Sequence, residues 1–426
     1  MKCYVNVCDY DSLSQAAAAA EGGVLFFPPG KIIAQIGSVN LGPNIHIIFS
    51  NNSGINVKNG TVTLDCSIQA SRSQIFWGQG FAAGMNHRIN EVIIDWFGAQ
   101  HEPFESSDPN RLDKVKNASK NAKAIQRAII FSASAGYPRI PIVRIPIGEY
   151  YVNESISVPN NIHLVGHGRF SILSCAKPNK KTSYKTLLNV EATGNVLLDN
   201  FSIFGNNQIL DKEITITGVY LKLLENKKCT YSRFSNLNIK EMTHHGIHVE
   251  ADRGAAAGLE NSVITNCIVR DSRTHNIFLE QSYRVEIQSC RIRTSKNGNG
   301  ILLDECRDVM INNCRIDNNE KGAGILNWCG HSPNVSNLSV VNCHFIENDW
   351  GIRLQGTIAC LINGNAISRS EKGAIQFNPE GFFGTDKQTK MCLVTSNIIT
   401  GISKPYDNPT NISDLPQSIV RDNIIN

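Results

Sequence analysis

Charge is what this sequence has least of: Asp, Glu, Lys and Arg make up 18% of its 426 residues, against about 25% in an average soluble protein. The formal net charge is only +4. No Lys/Arg run is dense enough to track a phosphate backbone, so no nucleic-acid partner is expected. Nowhere do about 18 apolar residues run together as a membrane-spanning helix requires, and no membrane partner is expected either. The opening residues MKCYVNVCDYDSLSQ lack the apolar core of a secretion signal. The thirteen cysteines are odd in number, with neither paired metal-ligand spacing nor the density of a small disulfide scaffold, so no metal site is expected.

Polarity comes instead from Asn, Ser, Thr and Gly, which form turns and stack without charge repulsion. From about residue 197 onward a pattern recurs: a short apolar strand, a turn with Asn or Cys, an Ile nearby, a polar stretch, then Gly-Ile and another short strand. One turn position falls at Phe201, Leu237, Cys267, Cys290, Cys314, Cys343, Asn365, Asn397 and Asn423. The intervals are 36, 30, 23, 24, 29, 22, 32 and 26. A floor near 22 with variable excess describes a fixed coil with loops inserted at its corners, and a coil that short buries a core only by stacking on neighbours. The fold class is therefore all-β, a right-handed parallel β-helix solenoid with an N-terminal capping helix and a small N-terminal β-helix-like module.

The second strand of each coil alternates as a sheet with one buried face does. Its inward set is Val219 and Leu221, Ile247 and Val249, Ile277 and Leu279, Ile301 and Leu303, Ile352 and Leu354, Ile375 and Phe377. Asn327, beside Ile325, alone breaks it. Cys267, Cys290, Cys314 and Cys343 then form an inward ladder of small apolar side chains, continued by Asn365, Asn397 and Asn423 as an amide ladder.

Upstream, residues 24–48 align with residues 142–165, Gly30 matching Gly148 and Asn44-Ile45-His46 matching Asn161-Ile162-His163. Each copy follows a helical stretch, Ser12 to Ala20 and Ala118 to Ala135, ended by glycine. Ala124, Ile125, Ala128 and Ile129 form an apolar stripe, and such a helix suits the open first coil of a solenoid, which must be covered. The expected divisions are residues 1–92, an N-terminal β-rich module; 93–140, a linker and capping helix; and 141–426, the β-helix.

Ile93-Ile94-Asp95-Trp96-Phe97-Gly98-Ala99, the Ala124-Ile125-Gln126 helix, Pro146-Ile147-Gly148-Glu149-Tyr150 and the Asn-x-Ile coils together resemble the pectin-lyase-like superfamily. The likeness is greatest to the single-stranded right-handed β-helix proteins called pectate-lyase-superfamily or tailspike-type polysaccharide depolymerases, and it covers nearly the whole chain. Such relatives carry an acidic Gly-Asp-Gly and Asp-Asp-Thr stretch after the Phe-Gly-Ala; here Gln100-His101-Glu102-Pro103 stands instead. The resemblance implies a polysaccharide or oligosaccharide partner and a secreted or virion-associated location. The superfamily includes hydrolases, lyases, epimerases and non-catalytic adhesins.

Read up the stack, the outward positions of the alternating strand make two columns. One holds Tyr220, His248, Phe278, Leu302, Leu326, Arg353 and Gln376; the other holds Lys222, Glu250, Glu280, Asp304, Trp328, Gln355 and Asn378. Three carboxylates, Glu250, Glu280 and Asp304, thus stand on consecutive coils about 4.8 Å apart. Neighbours at about 5 Å suit a retaining glycosidase and a pair two coils apart approaches inverting spacing, so these three are the expected acid and base or nucleophile of a glycoside hydrolase needing no cofactor. Phe278 and Trp328 offer faces to sugar rings, Arg353 and Lys222 meet acidic groups, and His245, His248, Arg253 and His275 enrich the edge as substrate-binding residues. Three alternatives remain open. One is a uronate lyase or epimerase, with Ca²⁺ if a lyase and a lysine, arginine or histidine base. Another is a non-catalytic carbohydrate-binding fibre. In the third, these are solvated surface charges and the apolar residues form a subunit interface; because the strip Phe278, Leu302, Leu326 and Trp328 is more apolar than a lone solenoid face needs, a homo-oligomer such as a trimer is expected. In His244-His245-Gly246-Ile247-His248, strand alternation is expected to send the imidazoles to different faces.

Overall fold

The computed structural model describes residues 4–84, 89–102, 117–135, 142–177, 185–191, 193–207, 210, 214–223, 227–252, 257–319, 321–328, 337–378, 389–401, 406–407 and 419–425. The chain divides into two compact units, residues 1–176 and 177–426.

In the first unit, Tyr4–Asn6, Val24–Phe27, His46–Phe49 and Ser67–Ala70 pair in that order into one parallel sheet. Ile32–Gln35, Gly54–Val57 and Phe76–Trp77 make a second, and Val39–Leu41, Thr61–Leu64 and Phe81–Gly84 a third. The chain visits one sheet after another and returns one strand higher, which is the small β-helix-like module. The two aligned copies take the same pairing: Val24 lies opposite His46, and Ile142 opposite His163. Both helices form within a residue of their expected spans, as Leu13–Ala19 and Ala118–Ser134. Ser12 caps the first, its Oγ accepting from the Gln15 amide at 3.2 Å. The second buries Ala124, Ile125, Ala128 and Ile129 and packs against Phe81–Gly84 and Gly148–Val152.

The second unit is built the same way. One sheet stacks Thr217–Leu223, Ile247–Ala251, Ile277–Glu280, Ile301–Asp304, Ala323–Trp328, Trp350–Gln355 and Gly373–Asn378, all parallel. Its inward side chains from Val219 to Ile375 are fully buried. Asn327 sits among them at 1% exposure, its amide satisfied by the Thr357 hydroxyl at 2.7 Å.

A second sheet carries the anchor column, and the local reason for its sequence is visible in the backbone. The residue before each anchor is left-handed: Asn200, Asn236, Asn266, Ser289, Asn313, Asn342, Gly364, Ser396 and Asp422 all have φ between 53° and 66°. Asn tolerates this conformation and Gly has no Cβ to clash, which is why Asn recurs at the turn. Immediately after it, Cys267, Cys290, Cys314 and Cys343 point inward, each thiol 3.3–3.4 Å from the carbonyl two residues back. Asn365, Asn397 and Asn423 continue the column as an amide ladder with side-chain rungs of 2.9 Å. All eleven described cysteines are free thiols. Burial, with Cys392 beside it, pushes the Cys360 thiol up, the environment of an inert packing cysteine rather than a reactive one.

Candidate functional site

The outward columns assemble in the expected register. Tyr220 lies opposite His248, Lys222 opposite Glu250, His248 opposite Phe278, and Glu280 opposite Asp304, which lies opposite Trp328. Side chains on facing positions of neighbouring strands touch, and diagonal ones reach each other when long.

Glu250 is gripped from below. Tyr220 donates its phenolic O–H to Oε2, and Lys222 Nζ stands 3.9 Å from Oε1. Burial, then the charges of Glu250 and Glu280, pushes the Tyr220 phenol up, so it holds its proton. Glu280, one coil higher, accepts the Ala251 amide at 3.1 Å and lies 3.5 Å from His248 Nε2. His248 is itself stacked on Phe278, rings 4.6 Å apart and 7° from parallel.

The histidines differ from the alternation expectation. His244 and His245 have ring centroids 3.8 Å apart, and His245 and His248 4.7 Å. The strand begins only at Ile247, so His244 and His245 belong to a turn, where the two-residue period does not apply. His245 and His275, equivalent on adjacent coils, stack at 5.3 Å and 7°. The Nδ1 of His245 faces the Thr274 hydroxyl at 2.9 Å and accepts the His275 amide at 3.3 Å, while His275 Nδ1 accepts the Asn299 amide at 2.9 Å. A nitrogen that accepts carries no proton, so both rings are neutral with the proton on Nε2. Burial and then the neighbouring imidazoles pull His275 down to about 4 and His245 well below the usual imidazole range.

Not every expected site residue shares this surface. Asp304 is only 6% exposed and Leu302 7%, although both stand in outward columns. Phe278 and Trp328 are partly buried in the same face. Arg353 lies two coils beyond Leu302, its guanidinium held by the Gln376 side chain. Arg253 falls outside the described residues. Among the described residues, no group of three or more His, Cys, Asp and Glu side chains is arranged to hold a metal ion. The role sequence reasoning missed is that of Tyr220. It stood in the column, and its diagonal relation to Glu250 was the available signal.

The sequence matches the family described as the right-handed β-helix region over residues 186–376 and 257–414. No curated protein matches it. Among solved structures the chain is similar to the A-module of mannuronan C-5 epimerase AlgE6 from Azotobacter vinelandii, at 15% identity and a TM-score of 0.53, covering 79% of this chain and 99% of that one. It is also similar to the Dettilon tailspike protein, at 14% identity and 0.52, covering 79% and 59%. The N-terminal fragment of bacteriophage phi29 gene product 12 matches at 16% and 0.52, covering 74% and 58%.

Proposed function

The chain belongs to the right-handed β-helix family, and we propose that it is a polysaccharide-acting enzyme, a glycoside hydrolase whose reacting carboxylates are Glu250 and Glu280. One observation carries this reading: the two carboxylates stand on adjacent coils of one outward face, each held by its own donors. Strand spacing sets their backbones about 4.8 Å apart, which suits a retaining mechanism. Glu250, accepting from Tyr220 and facing Lys222, is placed to attack the anomeric carbon. Glu280, beside His248, is placed to protonate the leaving oxygen and then to activate water. Phe278, stacked on His248, and Trp328 border the pair as apolar faces for sugar rings. Asp304 is buried beside Glu280, and its proposed part is to position that carboxylate rather than to touch substrate.

The charge of the face favours a substrate that is not strongly anionic. From Thr217 to Trp328 the outward columns present two partly exposed carboxylates, Glu250 and Glu280, with Asp304 buried beside them, against one lysine, Lys222. A polyuronate would meet net repulsion there.

A second reading is favoured by Tyr220 and His248, whose rings lie 5.4 Å apart. In that reading His248, backed by Glu280, takes the proton next to a uronate carboxyl faced by Lys222, and the protonated Tyr220 phenol delivers its own to the ring carbon or to the leaving oxygen. The chemistry would be elimination or epimerisation, and a non-catalytic glycan-binding fibre would show neither activity.

Reducing-end release over a glycan panel tests these, read together with absorbance near 235 nm for unsaturated products. We expect Glu250→Gln and Glu280→Gln each to lower release by at least about 10², with binding retained, and Asp304→Asn to lower it less. Near-parental rates in both Glu variants would remove the hydrolase reading. Products absorbing at 235 nm would replace it with elimination.

A further inference from the structure

A second polar cleft lies wholly within the first unit, with a volume of about 750 Å³. Its walls come from the turn around Asn52, the loop Arg72 to Gln74, the strand residue Trp77, the segment Asp95 to His101 and Asn117 at the head of the long helix. Gln100 and His101 stand in its wall, and the carboxylate mechanism uses neither.

The cleft is built rather than incidental. A Cβ on the lining residue Gly98, whose φ is 96°, would fall 2.9 Å from the Gln74 amide carbon. Gly98 therefore leaves room for a lining side chain, and its backbone also favours glycine. Gln100 is fixed from behind by Asn121, which is fully buried; Asn121 accepts the Gln100 amide at 2.8 Å and donates to its carbonyl at 2.9 Å. The floor is a closed charge pair. Arg72 Nε donates to Asp95 at 2.9 Å, and Tyr150 donates to the other oxygen of Asp95 at 3.0 Å.

We propose that this cleft is a second carbohydrate-binding site, for one uncharged pyranose unit of a glycan. The ligand class follows from the lining. One indole, Trp77, offers a flat apolar face to the C–H face of a sugar ring. Around it stand four side-chain amides, those of Asn52, Gln74, Gln100 and Asn117; Gln74 donates to the Phe76 carbonyl at 2.9 Å and Asn117 to Glu102 at 3.3 Å, which leaves each amide its oxygen and at least one N–H to bridge vicinal hydroxyls. Among the described residues the Arg and Asp charges in the lining pair with one another, and the other lining side chains, His101 apart, carry no charge that would reward a carboxylate or sulfate. The site stands on this geometry, independently of the carboxylate pair.

The test uses the full chain and two probe sets: neutral hexaoses of glucose, mannose and galactose, and oligomannuronate and oligogalacturonate of the same length. Binding is read by saturation-transfer NMR and by tryptophan fluorescence. We expect saturable binding of at least one neutral hexaose, weakened at least tenfold by Trp77→Ala and by Gln100→Ala and unchanged by Trp328→Ala, which removes a ring-stacking face beside the carboxylate pair. Gln100 is exposed, so its variant keeps the test decisive should Trp77→Ala fail to fold. Binding lost in Trp328→Ala but kept in Gln100→Ala would place the ligand on the carboxylate face and overturn the proposal. So would the absence of saturable binding to every neutral hexaose, or tighter binding of the oligouronates.

Discussion

Each histidine of the cluster is held in the state its surroundings dictate, and this has a consequence for stability. His245 and His275 are neutral when folded because burial disfavours the imidazolium and the neighbouring imidazoles repel it. Unfolded, each titrates near 6.5. Between pH 6.5 and about 4 the unfolded chain therefore binds protons that the folded chain does not. Stability is full above the unfolded value and is lost as pH falls, by up to about 1.4 kcal/mol per pH unit for each ring. Asp95 works in the opposite sense, because burial raises it even beside Arg72, so the slope must be isolated by substitution. Thermal unfolding of His245→Gln and His275→Gln should show a smaller drop in Tm from pH 7 to pH 5 than the parent. An unchanged slope in both would mean that the rings are charged or exposed. The same residues mark the limit of residue-level reading. The equivalence of His245 and His275 was legible from the repeat, but the meeting of His244 with His245 was not, because the turn backbone that aims them has no periodic signature.

At the scale of the element, the coil was legible because two independent periodicities agreed: alternation along each strand and the recurring turn anchor. The anchor column makes a sharp stability prediction. Asn397 Oδ1 accepts both the backbone amide and the side-chain amide of Asn365, at 3.0 and 2.9 Å, and its own Nδ2 donates to the Ile362 carbonyl at 3.0 Å and to Asn423 at 2.9 Å. Asn365 and Asn397 are at most 1% exposed. Asn397→Ala strands several buried groups at once, and an unsatisfied buried group costs about 1–3 kcal/mol, so a loss of roughly 2–4 kcal/mol is expected by chemical denaturation. Asn397→Cys should lose less, because the coils beneath use cysteine at this position: Cys343 Sγ stands 3.4 Å from the Cys314 amide and 3.3 Å from the Val341 carbonyl. Equal losses for Ala and Cys would mean that the column is held by volume alone.

Over the whole molecule, the sequence pointed to a homotrimer because four apolar side chains lined one outward face. In the structure that strip presents less apolar surface than its sequence pattern suggested. Leu302 is 7% exposed, Phe278 is stacked on His248, and Leu326 and Trp328 are only partly exposed. None of the four is among the large apolar side chains that the described residues leave exposed. Strand alternation assigns a side chain to a face; it does not say whether that face is covered, and this is why the strip read as an unburied patch. A strip in which Leu302 is buried and the other three are only partly exposed offers less apolar area to a neighbouring subunit, since the hydrophobic effect scales with area removed from water. Part of this strip also borders the carboxylate pair, where a subunit interface would exclude an extended glycan. Light scattering at micromolar concentration should therefore return a monomer of 46.9 kDa. Should a trimer appear, Phe278→Ser and Trp328→Ser locate it. Dissociation of the trimer in these variants would restore the strip as its interface and overturn the assignment of this face to substrate, whereas a persisting trimer would place assembly on another surface.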